Sequence, residues 1–101
     1  MRETFGQYIR RLRKEKELTL TQLAAKLDLD SANLSKIENG KRDFDERRIE
    51  LLCSIFNLDK KQIEKELISE KIAKNIYEYS ESKEILILAE SKLKYFKTNN
   101  L

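Results

Sequence analysis

The sequence has no histidine, no proline and no tryptophan, one cysteine and two glycines. Each shortage removes a class of function. Without histidine, the commonest general base and the commonest metal ligand are both missing. A structural zinc site takes four Cys or His ligands, so Cys53 cannot build one alone, and neither a metal nor another cofactor is expected. A lone cysteine makes no intrachain disulfide. There is also no signal peptide and no apolar run of about 18 residues. The expected location is therefore cytoplasmic, with no role at a membrane. No acid, base and nucleophile come together in the sequence, and an enzyme is not expected. Cys53 falls on the apolar side of a helix beside Leu52 and Phe56, where a buried, inert thiol is the natural reading.

What remains is a chain of 101 residues, 40% hydrophobic and 39% charged. That length fits one domain, or a small domain with an appendage. Its 21 Lys and Arg against 18 Asp and Glu leave +3, too slight an excess to name a partner by itself. Position says more. Residues 10–16 read Arg-Arg-Leu-Arg-Lys-Glu-Lys, and a second basic group comprises Lys36, Lys41, Arg42, Arg47 and Arg48. Such groups are either solvated helix faces or the footprint of an anionic partner. Residues 59–101 carry 9 bases and 8 acids, so this part is not a nucleic-acid-binding tail.

The lack of proline and the wealth of Leu, Ile, Lys and Glu predict an all-α protein. Its helix starts are marked by hydrophobic staples, in which an apolar residue before the polar cap packs on the fourth helical residue. Leu18-Thr19 leads to Leu23, Leu29-Asp30 to Leu34, Phe44-Asp45 to Ile49, and Leu58-Asp59 to Ile63. Gln22 and Gln62 complete capping boxes with Thr19 and Asp59, and Thr4 with Gln7 makes a fifth box. Helices are thus expected to begin near residues 4, 19, 30, 45 and 59, with Gly40 closing the third. The second and third are short and close in sequence. Leu23, Ala24 and Leu27 would meet Leu34 and Ile37, the geometry of a helix-turn-helix.

Further along, Ile68, Ile72, Ile76 and Tyr79 form one helical stripe. Ser80 or Ser82 then caps a last helix through Ile85-Leu86-Ile87-Leu88-Ala89, Leu93, Tyr95 and Phe96, although the aliphatic run alone would also suit a strand. Left exposed, this density of apolar side chains would make a sticky patch. Two arrangements cover it. Ile72, Ile76, Tyr79, Ile85, Leu86, Leu88, Leu93 and Phe96 either join two copies into a homodimer or fold back as extra core. The expected division is a helix-turn-helix domain over 1–66 and a helical extension for dimerisation over 67–101. Neither a regular heptad pattern nor a converging polar cluster appears in the extension, so no small-molecule ligand is evident.

From Leu18 to Asp59 the sequence resembles the lambda repressor and Cro family of helix-turn-helix DNA-binding domains, often called XRE-type. The matching residues are Leu18-Thr19, Leu23-Ala24, Leu27, Leu34-Ser35-Lys36-Ile37-Glu38-Asn39-Gly40-Lys41, Ile49, Leu52, Phe56 and Leu58. The resemblance implies a five-helix domain, here with one or two additional C-terminal helices, whose third helix enters the major groove of double-stranded DNA. It implies a buried ion pair between Arg13 and Glu38. It also places Ser31, Ala32, Asn33, Ser35 and Lys36 toward base edges. The chemistry suits: Asn33 can pair with adenine, Lys36 can donate to guanine, Ser31 can serve either, and the Ala32 methyl can touch thymine. Asn33 has a second reading as support for the first helical turn, and Ser35 as a hydroxyl bonded back to its own helix. Thr19, Asn39, Lys41 and Arg42 fall where the family meets phosphates, joined by the amides of Leu20 and Thr21 and by Arg10.

Three positions depart from the family pattern. Leu20 stands where a phosphate-touching Gln is usual, Glu17 where Gly is common, and Phe44 where Pro is common. Asp30 caps well but sets a carboxylate near DNA, which narrows the bases it tolerates. The implied function is a sequence-specific transcriptional regulator, a repressor or a controller of a restriction-modification operon, binding a palindromic operator as a homodimer. The alternative is an antitoxin or another interaction module whose C-terminal helices hold a partner protein.

Overall fold

A computed structural model describes residues 2–100 and is all-helical over them. The order is α1 (Phe5–Glu15), α2 (Leu20–Lys26), α3 (Ser31–Glu38), a 3-10 turn (Glu46–Arg48), α4 (Ile49–Phe56), α5 (Lys60–Ile76) and α6 (Ser82–Thr98).

One device joins the short helices. The residues after α1, α2 and α4, namely Glu17, Asp28 and Asn57, are left-handed, with φ of 57°, 58° and 55°. Each is followed by a leucine whose amide bonds back to a carbonyl five residues earlier: Leu18 to Arg13, Leu29 to Ala24 and Leu58 to Cys53. That is the Schellman closure. The same leucine is the staple residue of the next helix and packs against the core. The chain therefore ends one helix and starts the next within three or four residues. Gly40, with φ 76°, closes α3 in the same way, the Lys41 amide bonding to the Lys36 carbonyl at 2.8 Å. Glycine is the easy residue in this conformation and glutamate is not. Replacing the exposed Glu17 with Gly should stabilise the fold by about 0.5–1 kcal/mol, read as a higher urea midpoint.

Thr4 with Gln7 and Thr19 with Gln22 form the two-way capping boxes. The Asp30 carboxylate caps α3 through the Asn33 amide. Three expectations need correction. Asp45 caps only the 3-10 turn, because its carboxylate takes the Arg47 amide and both following guanidinium groups; α4 begins at Ile49 without a side-chain cap. At α5 the Asp59 carboxylate accepts from the Lys61 amide while Gln62 reaches Glu66, in place of a box. Neither serine caps α6: Glu81 stands at its start with no side-chain bond, and Ser82 is already helical.

Among the described residues two compact units divide between Lys71 and Ile72. In the first, Ile9, Leu23, Leu27, Leu34 and Leu52 are fully buried, and α5 adds Ile63 and Leu67 to the same core. Beyond them the Glu70 carboxylate accepts the Phe5 amide at 2.9 Å, and Lys71 pairs with Glu46 at 3.2 Å. Cys53 lies in this core, and burial pushes its thiol above the ordinary value, which keeps it protonated and unreactive at neutral pH. In the second unit the run from Ile85 to Leu88 is helical, and α6 buries none of its residues.

Candidate nucleic-acid interface

The position of α3 follows from three sets of contacts. Its inner face, Leu34 and Ile37, meets Leu23, Ala24 and Leu27 in the core. On the α1 side, Gly6 lets the two backbones touch: a Cβ there would lie 2.1 Å from the Ile37 carbonyl oxygen. Two turns further along α1, Arg13 donates from Nε and Nη2 to the two oxygens of Glu38 at 2.8 and 3.0 Å, and from Nη1 to the Leu18 carbonyl at 3.0 Å. Finally, Arg48 holds the turn between α2 and α3. Its Nε donates to the Leu27 carbonyl at 2.9 Å and its Nη2 to that of Asp28 at 3.1 Å, while Nη1 is held by Asp45.

In the sequence Arg48 stands only within a basic group, and nothing marks Gly6. Their partners lie about twenty and thirty residues away, and no local pattern marks such contacts. The basic stretch 10–16 is likewise sorted by what faces it. Arg11 is paired with Glu3 and Glu15, Arg13 with Glu38, and Lys16 donates to the Ile55 carbonyl and lies over the Phe56 ring. Arg10 and Lys14 remain exposed and, among the described residues, without an ion pair.

On the outer face of α3, Ser31, Ala32 and Lys36 are exposed, and Asn33 and Ser35 are half-buried. Ser35 Oγ accepts from Asn39 Nδ2 at 3.5 Å, which ties one expected base reader to one expected phosphate contact. Asn33 is bonded on both ends of its carboxamide. Nδ2 donates to Asp30 Oδ2 at 3.0 Å, and Oδ1 accepts from Arg42 Nη1. Lys36 and Lys41 are exposed cations with no ion pair among the described residues. Thr19 caps α2, leaving the first-turn amides of Leu20 and Thr21 without intrahelical partners. The Leu20 side chain instead packs against the core.

In the second unit Ile72, Tyr79, Leu86, Leu88, Leu93 and Phe96 are exposed, as are Tyr77, Ile87 and Tyr95; Ile76 and Ile85 are half-buried. No helix of the described residues is long and apolar enough to cross a membrane. No group of three or more Cys, Asp or Glu residues among them is arranged to hold a metal ion.

Residues 4–65 match a family model described as a helix-turn-helix domain. The chain is 50% identical over 40 residues to the HTH-type transcriptional repressor RghR of Bacillus subtilis (strain 168), covering 40% of this chain and 30% of that protein. It is 55% identical over 38 residues to the uncharacterized HTH-type transcriptional regulator RghRB of the same organism, covering 38% and 27%. With the control protein C.MunI of a Mycoplasma species it shares 42% over 57 residues, covering 55% of this chain and 65% of that one. The matched stretch spans less than two thirds of each relative. No solved structure matches the chain.

Proposed function

The chain belongs to the XRE-type helix-turn-helix family, and on that premise we propose that it is a DNA-binding transcriptional regulator occupying a palindromic operator as a homodimer. The observation that carries this reading is the contrast between the two faces of α3. Its inner face is fixed by the core, Gly6, Arg13 and the Arg48 clamp, whereas Ser31, Ala32 and Lys36 face outward. A rigid short helix with small and cationic groups outermost suits direct readout in the major groove. Lys41, Arg10, Thr19 and the amides of Leu20 and Thr21 are the phosphate contacts that fix its register. The work is binding, not catalysis.

The second copy is supported by α6. It is a 17-residue helix bearing Ile85, Leu86, Leu88, Leu93 and Phe96, yet it buries none of its residues within the chain. One domain of this size reads only a few base pairs, and two-fold pairing through such a surface would double the site. Regulation is then steric, with promoter occupancy excluding polymerase. Two of the relatives, a repressor and a control protein, are named for regulation of this kind, which fits either subclass.

Selection of bound sequences from a random DNA pool tests the reading. The full chain should recover a palindrome with half-sites about one helical turn apart. Lys36→Ala should cost about 1–3 kcal/mol on that site and relax one base position. Lys41→Ala should weaken all sequences alike and lower the salt slope by about one. In sedimentation the full chain should be a dimer and a chain ending at Lys71 a monomer. Recovery of no sequence preference would overturn the proposal, and one-to-one co-purification with another protein instead would favour an interaction module.

A further inference from the structure

The Asp30, Asn33 and Arg42 side chains form a connected chain across the outer face of α3. The Asp30 carboxylate holds the Asn33 backbone amide at 2.7 Å through Oδ1 and the Asn33 side-chain amide at 3.0 Å through Oδ2. Asn33 Oδ1 in turn accepts from Arg42 Nη1, which belongs to the segment after α3. An asparagine reads adenine by accepting from N6–H with its oxygen and donating to N7 with its nitrogen. Here each atom already carries one bond, which leaves Nδ2 a single donor hydrogen and Oδ1 a single lone pair, so the carboxamide offers no unengaged edge. The guanidinium does: one Nη1–H is used by Asn33, and the remaining N–H groups of Arg42 keep the planar fork that matches guanine O6 and N7.

We propose that Arg42 is a specificity-determining residue that reads guanine, and that Asn33 is the positioning residue that aims it. The proposal rests on the operator-binding reading above and replaces separate roles for the two residues, adenine for Asn33 and phosphate for Arg42. Because Asn33 lies in the first turn of α3, a guanidinium bonded to its oxygen stands one hydrogen bond from the position where that oxygen would meet a base. The arrangement also explains how a carboxylate is tolerated at the cap. The Asp30 charge is linked through one amide to the Arg42 cation, so the group approaches DNA with no net charge. Arginine suits the role as lysine would not, since only the guanidinium can accept aim from one partner and still present two parallel donors.

The test is sequence selection and competition binding with the full-length protein and Asn33→Ala, Arg42→Ala, Arg42→Lys, the Asn33→Ala/Arg42→Ala double variant, and Lys36→Ala. The expected result is loss of a guanine preference at one position in Arg42→Ala, of the order of ten- to a hundredfold. Arg42→Lys should lose the same preference while keeping affinity for other sequences. Asn33→Ala should weaken preference at that same position, and the double variant should be no worse than Arg42→Ala. Additive effects of the two single variants at different base pairs would overturn the inference, as would a uniform loss in Arg42→Ala that Arg42→Lys restores. Lys36→Ala separates the two failures. If it relaxes its own base position while Asn33 and Arg42 act independently, α3 reads the operator and only the coupling is wrong. If the full chain shows no preference at all, both fall.

Discussion

Gly6→Ala is expected to destabilise the protein by about 3 kcal/mol or more, the upper end of what overpacking costs, although alanine is the better helix former. In an exposed helix interior the same change would stabilise by about 1 kcal/mol, so the sign itself is the test. The cause is spatial. A Cβ on Gly6 would lie 2.1 Å from the Ile37 carbonyl oxygen and 3.0 Å from that of Glu38. The obstacles are backbone atoms, which have no rotamer to change, and relief requires α1 and α3 to move apart. That movement would lengthen the hydrogen bonds from Arg13 to Glu38 on the same pair of helices. Loss of operator affinity should therefore accompany loss of stability. Gly40 is the control: nothing lies within 4 Å of its Cβ position, and only its φ of 76° resists a side chain. Gly40→Ala should cost about 1 kcal/mol, for conformational reasons alone. Urea denaturation of the two variants measures both.

Those two glycines also mark what the sequence discloses. Gly40 was readable because a helix end is a local event: the run Leu34 to Lys41 carries its periodicity, its stop and the family likeness together. The caps at Thr4, Thr19 and Asp30 were readable for the same reason, each partner being three residues away. Local rules failed where a third group competed. Asp45 has the local pattern of a helix start, but Arg47 and Arg48 draw its carboxylate into a single 3-10 turn. The candidate site divides along the same line. That Leu34 and Ile37 face inward follows from helical periodicity, and the family resemblance places Ser31, Ala32, Asn33, Ser35 and Lys36 toward the other side. Which of the cations remain available depends on the acids and carbonyls that face them, and no local pattern sorts Arg11, Lys16 and Arg48. The bond from Arg42 to Asn33 belongs to this second kind, since it needs the fold of the eight residues between them.

The Arg13 and Glu38 pair carries the other large expected effect. Their side chains are 12% and 4% exposed. Arg13→Ala would leave the more deeply buried member, a carboxylate, with no cation, and should cost about 3–5 kcal/mol, the range for breaking a buried pair. Glu38→Ala should cost less, because the guanidinium lies nearer to water and keeps the Leu18 carbonyl. Hydrogen bonds donated to the Glu38 carboxylate hold the Arg13 pKa above its already high value, so titration of the arginine does not open the pair at any pH the protein meets. If attraction within the pair outweighed its desolvation, replacing both members would recover little of that loss. Desolvation argues the reverse: Arg13→Met with Glu38→Leu removes two buried charges together and should recover most of the loss. The pair then serves to fix how α1 meets the end of α3. Accordingly, the double variant should fold with near-normal stability in urea but bind operator less selectively than the native chain. A double variant no more stable than Arg13→Ala would show instead that the ion pair itself holds the fold together.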